Sequence, residues 1–164
     1  VATVVVGIDP GTEGALCKMA GGEVVGSMMM PSADSMKAAC DFISSEPAAD
    51  YVFIERVHSW SGQGVKSTWT FAFITGAVFA AASMVCSDVV IVEPKAWRAF
   101  FGIQGSKNKR EAKEAVVSWA TEKFPGAVTM AKPKAKRMPS GVADSIAIAS
   151  FGESTIATKD SGGA

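Results

Sequence analysis

A chain of 164 residues has room for one domain with a single sizeable core. Its 48% apolar and 20% charged residues fit a soluble globular protein, and no uninterrupted apolar run reaches the ~18 residues of a membrane helix, so no membrane partner is expected. The net charge of zero hides a segregation: residues 1–50 hold seven acids against two bases, a net of −5, and residues 101–137 hold nine bases against three acids, a net of +6.

A basic segment in a neutral chain suits a polyanion-binding face, and equally a solvated helix face followed by a loose loop. Cys17, Cys40 and Cys86 are far apart, lack metal-ligand spacing and are odd in number, so they are expected to be buried free thiols. No signal peptide is visible, and a chain opening on valine is expected to have been processed or trimmed.

The first strand is Val4-Val5-Val6-Gly7-Ile8, apolar on both faces and therefore central. It ends in Asp9, and Pro10-Gly11 turns the chain at once. A carboxylate there is either a strand cap in a turn or a ligand, because beside a core it needs a cation. Ala15 to Met19 reads as a second strand, Gly21-Gly22 as a hairpin turn and Glu23 to Met30 as a third strand. Pro31 breaks this meander. A helix capped by Ser32 or Asp34 follows to about Ser45, with Met36, Ala39, Cys40 and Ile43 on its apolar side.

Tyr51-Val52-Phe53-Ile54-Glu55 copies the form of the first strand: an apolar run, a carboxylate, then a polar loop. If the two strands are neighbours, Asp9 and Glu55 meet at one sheet edge, where two like charges call for a cation between them. Hard oxygen donors favour Mg²⁺ or Mn²⁺ over zinc. The loop after Glu55 carries His58, Ser59, Trp60 and Gln63, the kind of strand-end loop in which function concentrates.

Lys66 to Met84 predicts a long helix whose apolar residues surround most of its circumference, so it is either central in the core or packed on a second subunit. Val89 to Val92 is another buried strand, and Pro94 opens a short helix through Phe100. Ser106 is a plausible cap for a helix over 111–124, with Val116, Val117, Trp119 and Ala120 towards the core. Lys107, Lys109 and Arg110 at its start oppose the helix dipole, which stability does not explain and phosphate contact does. A polar loop with Lys132, Lys134, Lys136 and Arg137 leads to a last helix from Pro139. Asp144 lies in that small and apolar helix, an expensive place for an unpaired carboxylate, and Ser140 is one turn earlier on its face. The domain is expected to span 1–152, with 153–164 a flexible tail.

The motifs GIDPGTEGA, FIERV, the helix entry GSKNKR and GVADSIAIA, in this order over residues 3–152, resemble the RuvC family of Holliday-junction resolvases. The stretch Trp60 to Trp69, the segment VEPKAWR and the lysine-rich loop before the last helix look most like the chloroplast resolvases of plants and algae, with phage RuvC-like enzymes next. The resemblance implies an α/β, RNase H-like mixed five-stranded sheet of order 3-2-1-4-5 flanked by helices. It implies a homodimer, with the long helix as its candidate face, that cuts four-way junction DNA symmetrically and with sequence preference. It also implies two Mg²⁺ or Mn²⁺ ions about 4 Å apart, held by Asp9, Glu55 and Asp144, with Asp9 bridging both.

The fourth acidic position of that pattern falls on Ser140, a neutral and poor ligand placed there by an engineered substitution or by a natural change, so the chain is expected to bind junctions yet cleave poorly. By the same resemblance Lys66, Lys107, Lys109, Arg110 and the 132–137 loop contact phosphates, while His58, Ser59, Trp60 and Gln63 read the junction core. A chloroplast nucleoid, or a host cytoplasm for a phage enzyme, is the expected location. An actin-like ATPase shares the strand–Asp–turn but needs about twice the length. An inactive junction-binding module and another RNase H-fold nuclease are the remaining readings.

Overall fold

The computed structural model describes residues 2–59, 61–103, 105–128 and 139–161, with side chains through Lys159. Strands β1 (Val4–Asp9), β2 (Ala15–Ala20), β3 (Glu23–Met29), β4 (Tyr51–Glu55) and β5 (Asp88–Val92) form one sheet of order β3-β2-β1-β4-β5. The expected mixed sheet of order 3-2-1-4-5 is thus present. β1, β2 and β3 form the antiparallel meander, and β4 and β5 add in parallel to β1. The β2–β3 turn has both glycines at positive φ, 61° for Gly21 and 83° for Gly22, the backbone a two-residue hairpin needs.

The helices are α1 (Lys37–Ser44, after a single 3₁₀ turn at Ala33–Ser35), α2 (Val65–Val85), α3 (Pro94–Phe100), α4 (Lys109–Lys123) and α5 (Ser140–Ser161). Strand alternation divides the core. Val5, Cys17 and Phe53 face α5 and α4 with Trp97, Val116 and Ile146, while Val6, Ile8, Leu16, Val52 and Ile54 face α1 and α2 with Ile43, Val78 and Ala82. α5 crosses so close to β1 that a Cβ on Gly7 would overlap the backbone of Ser145 and Ala149. At its start, Gly141 forms a bridge with Gly14 in the turn after β1, and a side chain on either glycine would strike backbone there. These contacts set α5, and with it Asp144, on the face to which Asp9 points.

Four expectations change. α5 continues through Ser161 where a flexible tail was expected, because Gly152 lies under the Phe53 ring and Ile156 is buried. Pro139 precedes α5 instead of opening it. The cap of α4 is Asn108, whose side chain accepts the Arg110 N–H at 3.0 Å; Ser106 instead accepts the Asn108 N–H at 3.0 Å and donates to Glu111 at 2.7 Å. α2 is buried on one side only, through Ile74, Val78, Ala81 and Ala82. Its other side exposes Trp69 (69%), Phe73 (55%) and Met84 (81%), so within one chain it is not the central helix. By length and composition it is also apolar enough to cross a membrane, although it packs on α1 and β5.

The thiols of Cys17 and Cys86 are buried and Cys40 is half-buried, all free. Sequence reading did not anticipate that Lys18 is buried. Its ammonium donates to the carbonyls of Ser45 (2.7 Å) and Pro47 (2.9 Å), so it closes the C-terminal end of α1.

Candidate metal and nucleic-acid site

The register pairs Ile8 of β1 with Ile54 of β4, so Asp9 and Glu55 follow side by side at the C-terminal edge of two parallel strands. Alternation turns both towards α5. Asp144, one turn into α5, completes a group of three half-buried carboxylates drawn from three elements. Each has one visible form of support. Asp9 accepts the Gly11 N–H at 3.1 Å. Glu55 accepts the indole N–H of the fully buried Trp97 at 3.0 Å. Asp144 has Arg98 Nη2 at 3.6 Å, an ion-pair distance too long for a hydrogen bond, and its Oδ1 is buried with no hydrogen-bond partner.

The electrostatics record the crowding. Burial pushes the Glu55 carboxyl up to about 7, and the nearby Asp9 charge adds to this, against the Trp97 hydrogen bond, Arg98 and His58. Burial raises Asp144 well above the usual carboxylate range, and Asp9 and Glu55 raise it further. Asp9 is raised by burial, with Gly11, Lys113 and Arg98 opposing. Sequence reasoning missed Arg98, Trp97 and Lys113. The segment VEPKAWR was in view, but nothing in its spacing shows that α3 lays its Trp-Arg pair over the carboxylates.

Divalent metal fits the donor chemistry: three hard carboxylates, proton affinity raised by burial, and a buried Asp144 oxygen without a donor. Among the described residues, however, no three His, Cys, Asp or Glu side chains stand close enough together to hold one ion. The three acids therefore do not form a cage around a single ion. Ser140 is buried (6% exposed) one turn before Asp144 and brings no charge to the group.

Of the residues expected at DNA, the described ones lie on the loop after β4, at the start of α2 and at the start of α4. His58 is exposed and its ring Nε2 lies 3.0 Å from Glu93, which also pairs with Arg56 at 2.6 Å. Ser59 is exposed. Gln63 and Lys66 line a cavity of about 340 Å³ with Thr12, Ser67, Thr70 and Phe71, and Gln63 Oε1 is buried with no hydrogen-bond partner. Lys107, Lys109 and Arg110 are exposed at the start of α4; Arg110 is tied to Glu114 at 2.8 Å. Lys113, one turn into α4, is the cation of that helix whose field reaches Asp9 and Asp144. Trp60, Lys132, Lys134, Lys136 and Arg137 lie outside the described residues.

No protein-family model and no curated protein sequence matches the chain. Solved structures do. The chain is similar to RuvC of Thermus thermophilus at a TM-score of 0.63 and 18% identity, covering 95% of this chain and 97% of that one. The yeast mitochondrial Holliday junction resolvase gives 0.59 and 15%, covering 96% and 80%. Fowlpox virus resolvase with its substrate Holliday junction DNA gives 0.56 and 10%, covering 94% and 99%. At these identities the likeness establishes the fold, over nearly the full length of each chain.

Proposed function

We propose that the chain is a structure-selective endonuclease that resolves four-way DNA junctions with the help of divalent metal, Mg²⁺ or Mn²⁺. The observation that carries this reading is the half-buried pair Asp9 and Glu55 side by side at one sheet edge, with Asp144 of α5 near enough to feel both charges and left with a buried oxygen that has no hydrogen-bond partner. The full-length likeness to junction resolvases supports it.

In this reading Asp9, Glu55 and Asp144 would be the residues that hold the divalent metal. The chemistry that divalent ions supply when bound there is activation of water and stabilisation of the leaving 3′-oxygen. The protein's own part is to exclude bulk water with the α5 face and orient the carboxylates through Gly11 and Trp97. Lys113 and the basic start of α4 hold DNA phosphate against the edge. The Gln63–Lys66 cavity lies beside this path and offers a buried carbonyl and a cation to a nucleotide. The open face of α2 suits a second copy, and a two-fold dimer presents two such edges to the matched strands of a junction. Kinship with the chloroplast or phage type, and sequence preference at the cut, rest on the sequence motifs.

A second reading, a junction binder that cleaves poorly, is favoured by the neutral and buried Ser140. One experiment separates the two: incubate a labelled four-way junction and Mg²⁺ with the natural chain and with Ser140→Asp. If Ser140 stands where a ligand belongs, the variant cuts at least about tenfold faster, some 1.4 kcal/mol of barrier. Equal rates remove position 140 from the site, and absence of cutting by both removes the nuclease reading.

A further inference from the structure

Arg98 is the feature of this edge that the proposed reaction does not use. It sits on α3, next in sequence to Trp97, and its guanidinium lies over the Trp97 ring at 4.4 Å. Trp97 in turn donates to Glu55, so one short helix holds both the partner of Glu55 and the cation facing Asp144.

The Arg98–Asp144 pair is not a settled structural salt bridge. A committed arginine–carboxylate pair makes two parallel hydrogen bonds near ~2.8 Å. Here the approach is 3.6 Å, and both Arg98 Nη1 and Asp144 Oδ1 are buried with no hydrogen-bond partner. Each group has been taken from water without full return, which a permanent pair would correct by closing. The guanidinium is held by its stack instead, and a quarter of the side chain remains exposed, which leaves it a route outward.

We infer that Arg98 is the resident counter-cation of the three carboxylates: it balances them in the metal-free protein and gives up Asp144 when metal binds. The inference depends on the reading of Asp9, Glu55 and Asp144 as a metal site. The field of Arg98 reaches all three acids, as a counter-cation requires. The pair is thus a competitor of the metal, and Arg98 is a positioning residue that keeps the acids in place until metal arrives.

The test is calorimetric titration of the full chain with Mn²⁺ alone, beside thermal melts in chelator and in Mn²⁺, for the natural chain, Arg98→Gln and Arg98→Lys. Arg98→Gln is expected to bind Mn²⁺ about tenfold more tightly, to melt lower in chelator and to gain more from Mn²⁺. Arg98→Lys keeps the charge but loses the planar stack, and is expected to bind about threefold more tightly than the natural chain. Unchanged or weaker Mn²⁺ binding by Arg98→Gln overturns the inference. If that variant does not fold in chelator, Arg98→Lys decides in the same way. A natural chain that binds no Mn²⁺ removes the metal reading and this inference together; a natural chain that binds as Arg98→Gln does removes the inference only.

Discussion

Carboxylates stand at both ends of the parallel strands, and the two ends treat them differently. At the N-terminal end Asp50 is exposed; its carboxylate accepts the Val4 N–H at 2.8 Å, and its own N–H donates to the Val4 carbonyl at 2.9 Å. Nearby, Asp88 accepts the Ser87 hydroxyl at 3.2 Å and faces solvent. Asp50 finishes backbone pairing, and both acids cost little because water remains on them. At the C-terminal end Asp9, Glu55 and Asp144 are half-buried; burial raises the proton affinity of each, neighbouring acids raise that of Glu55 and Asp144 further, and Asp144 is left with an unfilled oxygen. An acid that serves the fold finds its donor; a group that lacks donors is costly to the fold and is explained by something it binds.

Asp9→Asn should separate the ends most sharply. Loss of Mg²⁺-dependent junction cleavage by about a thousandfold, roughly 4 kcal/mol of barrier, is expected, while the chelator-treated protein melts no lower because a crowded charge has gone. A lower melting temperature with cleavage intact would place Asp9 among the structural acids. Gly7→Ala comes next. Its methyl group meets the backbone of Ser145 and Ala149, so α5 must lift and carry Asp144 away, at a cost of about 3 kcal/mol in denaturant unfolding. Full stability in that variant would show that α5 is not held as described.

A pH series sharpens the contrast with a smaller effect. The folded protein holds the Glu55 proton up to about pH 7, whereas the unfolded chain releases it near the ordinary value of 4.5. Between these values the folded state binds the extra proton, so in chelator the melting temperature should fall as pH rises from about 4.5 to 7. Asp9 and Asp144, shifted in the same direction, steepen the decline. Saturating Mg²⁺ should flatten it, because metal takes the place of the proton. A chelator-treated protein that gains stability over this range would contradict the crowding. Asp50→Asn is the smallest change expected: at most about 1 kcal/mol in unfolding, since an amide oxygen can still accept the Val4 N–H, and no change in cleavage.

Much of this edge was legible in the chain because its signals are local. Two apolar runs that each end in a carboxylate mark β1 and β4 as strands of one kind, their pairing being implied by the family resemblance, and Gly21-Gly22 marks the hairpin between β2 and β3. A lone aspartate in an apolar helix identifies α5. What could not be read depends on packing between distant elements. Nothing local tells that Gly7 yields its side chain to α5, that Lys18 turns inward to two carbonyls of the α1 terminus, or that Arg98 reaches Asp144. The apolar circumference of α2 was visible, but only the assembled chain leaves one side of it open. The helical extension to Ser161 was hidden because its polar residues outnumber the one buried Ile156 that anchors it.

Trp97 gives the edge an optical voice. Its indole is fully buried, donates to Glu55 and lies under the Arg98 guanidinium, so it feels both the charge on that carboxylate and the cation above it. Exchange of a proton on Glu55 for a metal ion, or departure of Arg98, alters the field across the ring and therefore the colour and yield of its emission. Replacing the exposed Trp69 and the half-buried Trp119 with phenylalanine, and Trp60 likewise, would leave one chromophore that reports the state of the carboxylates while no DNA is present.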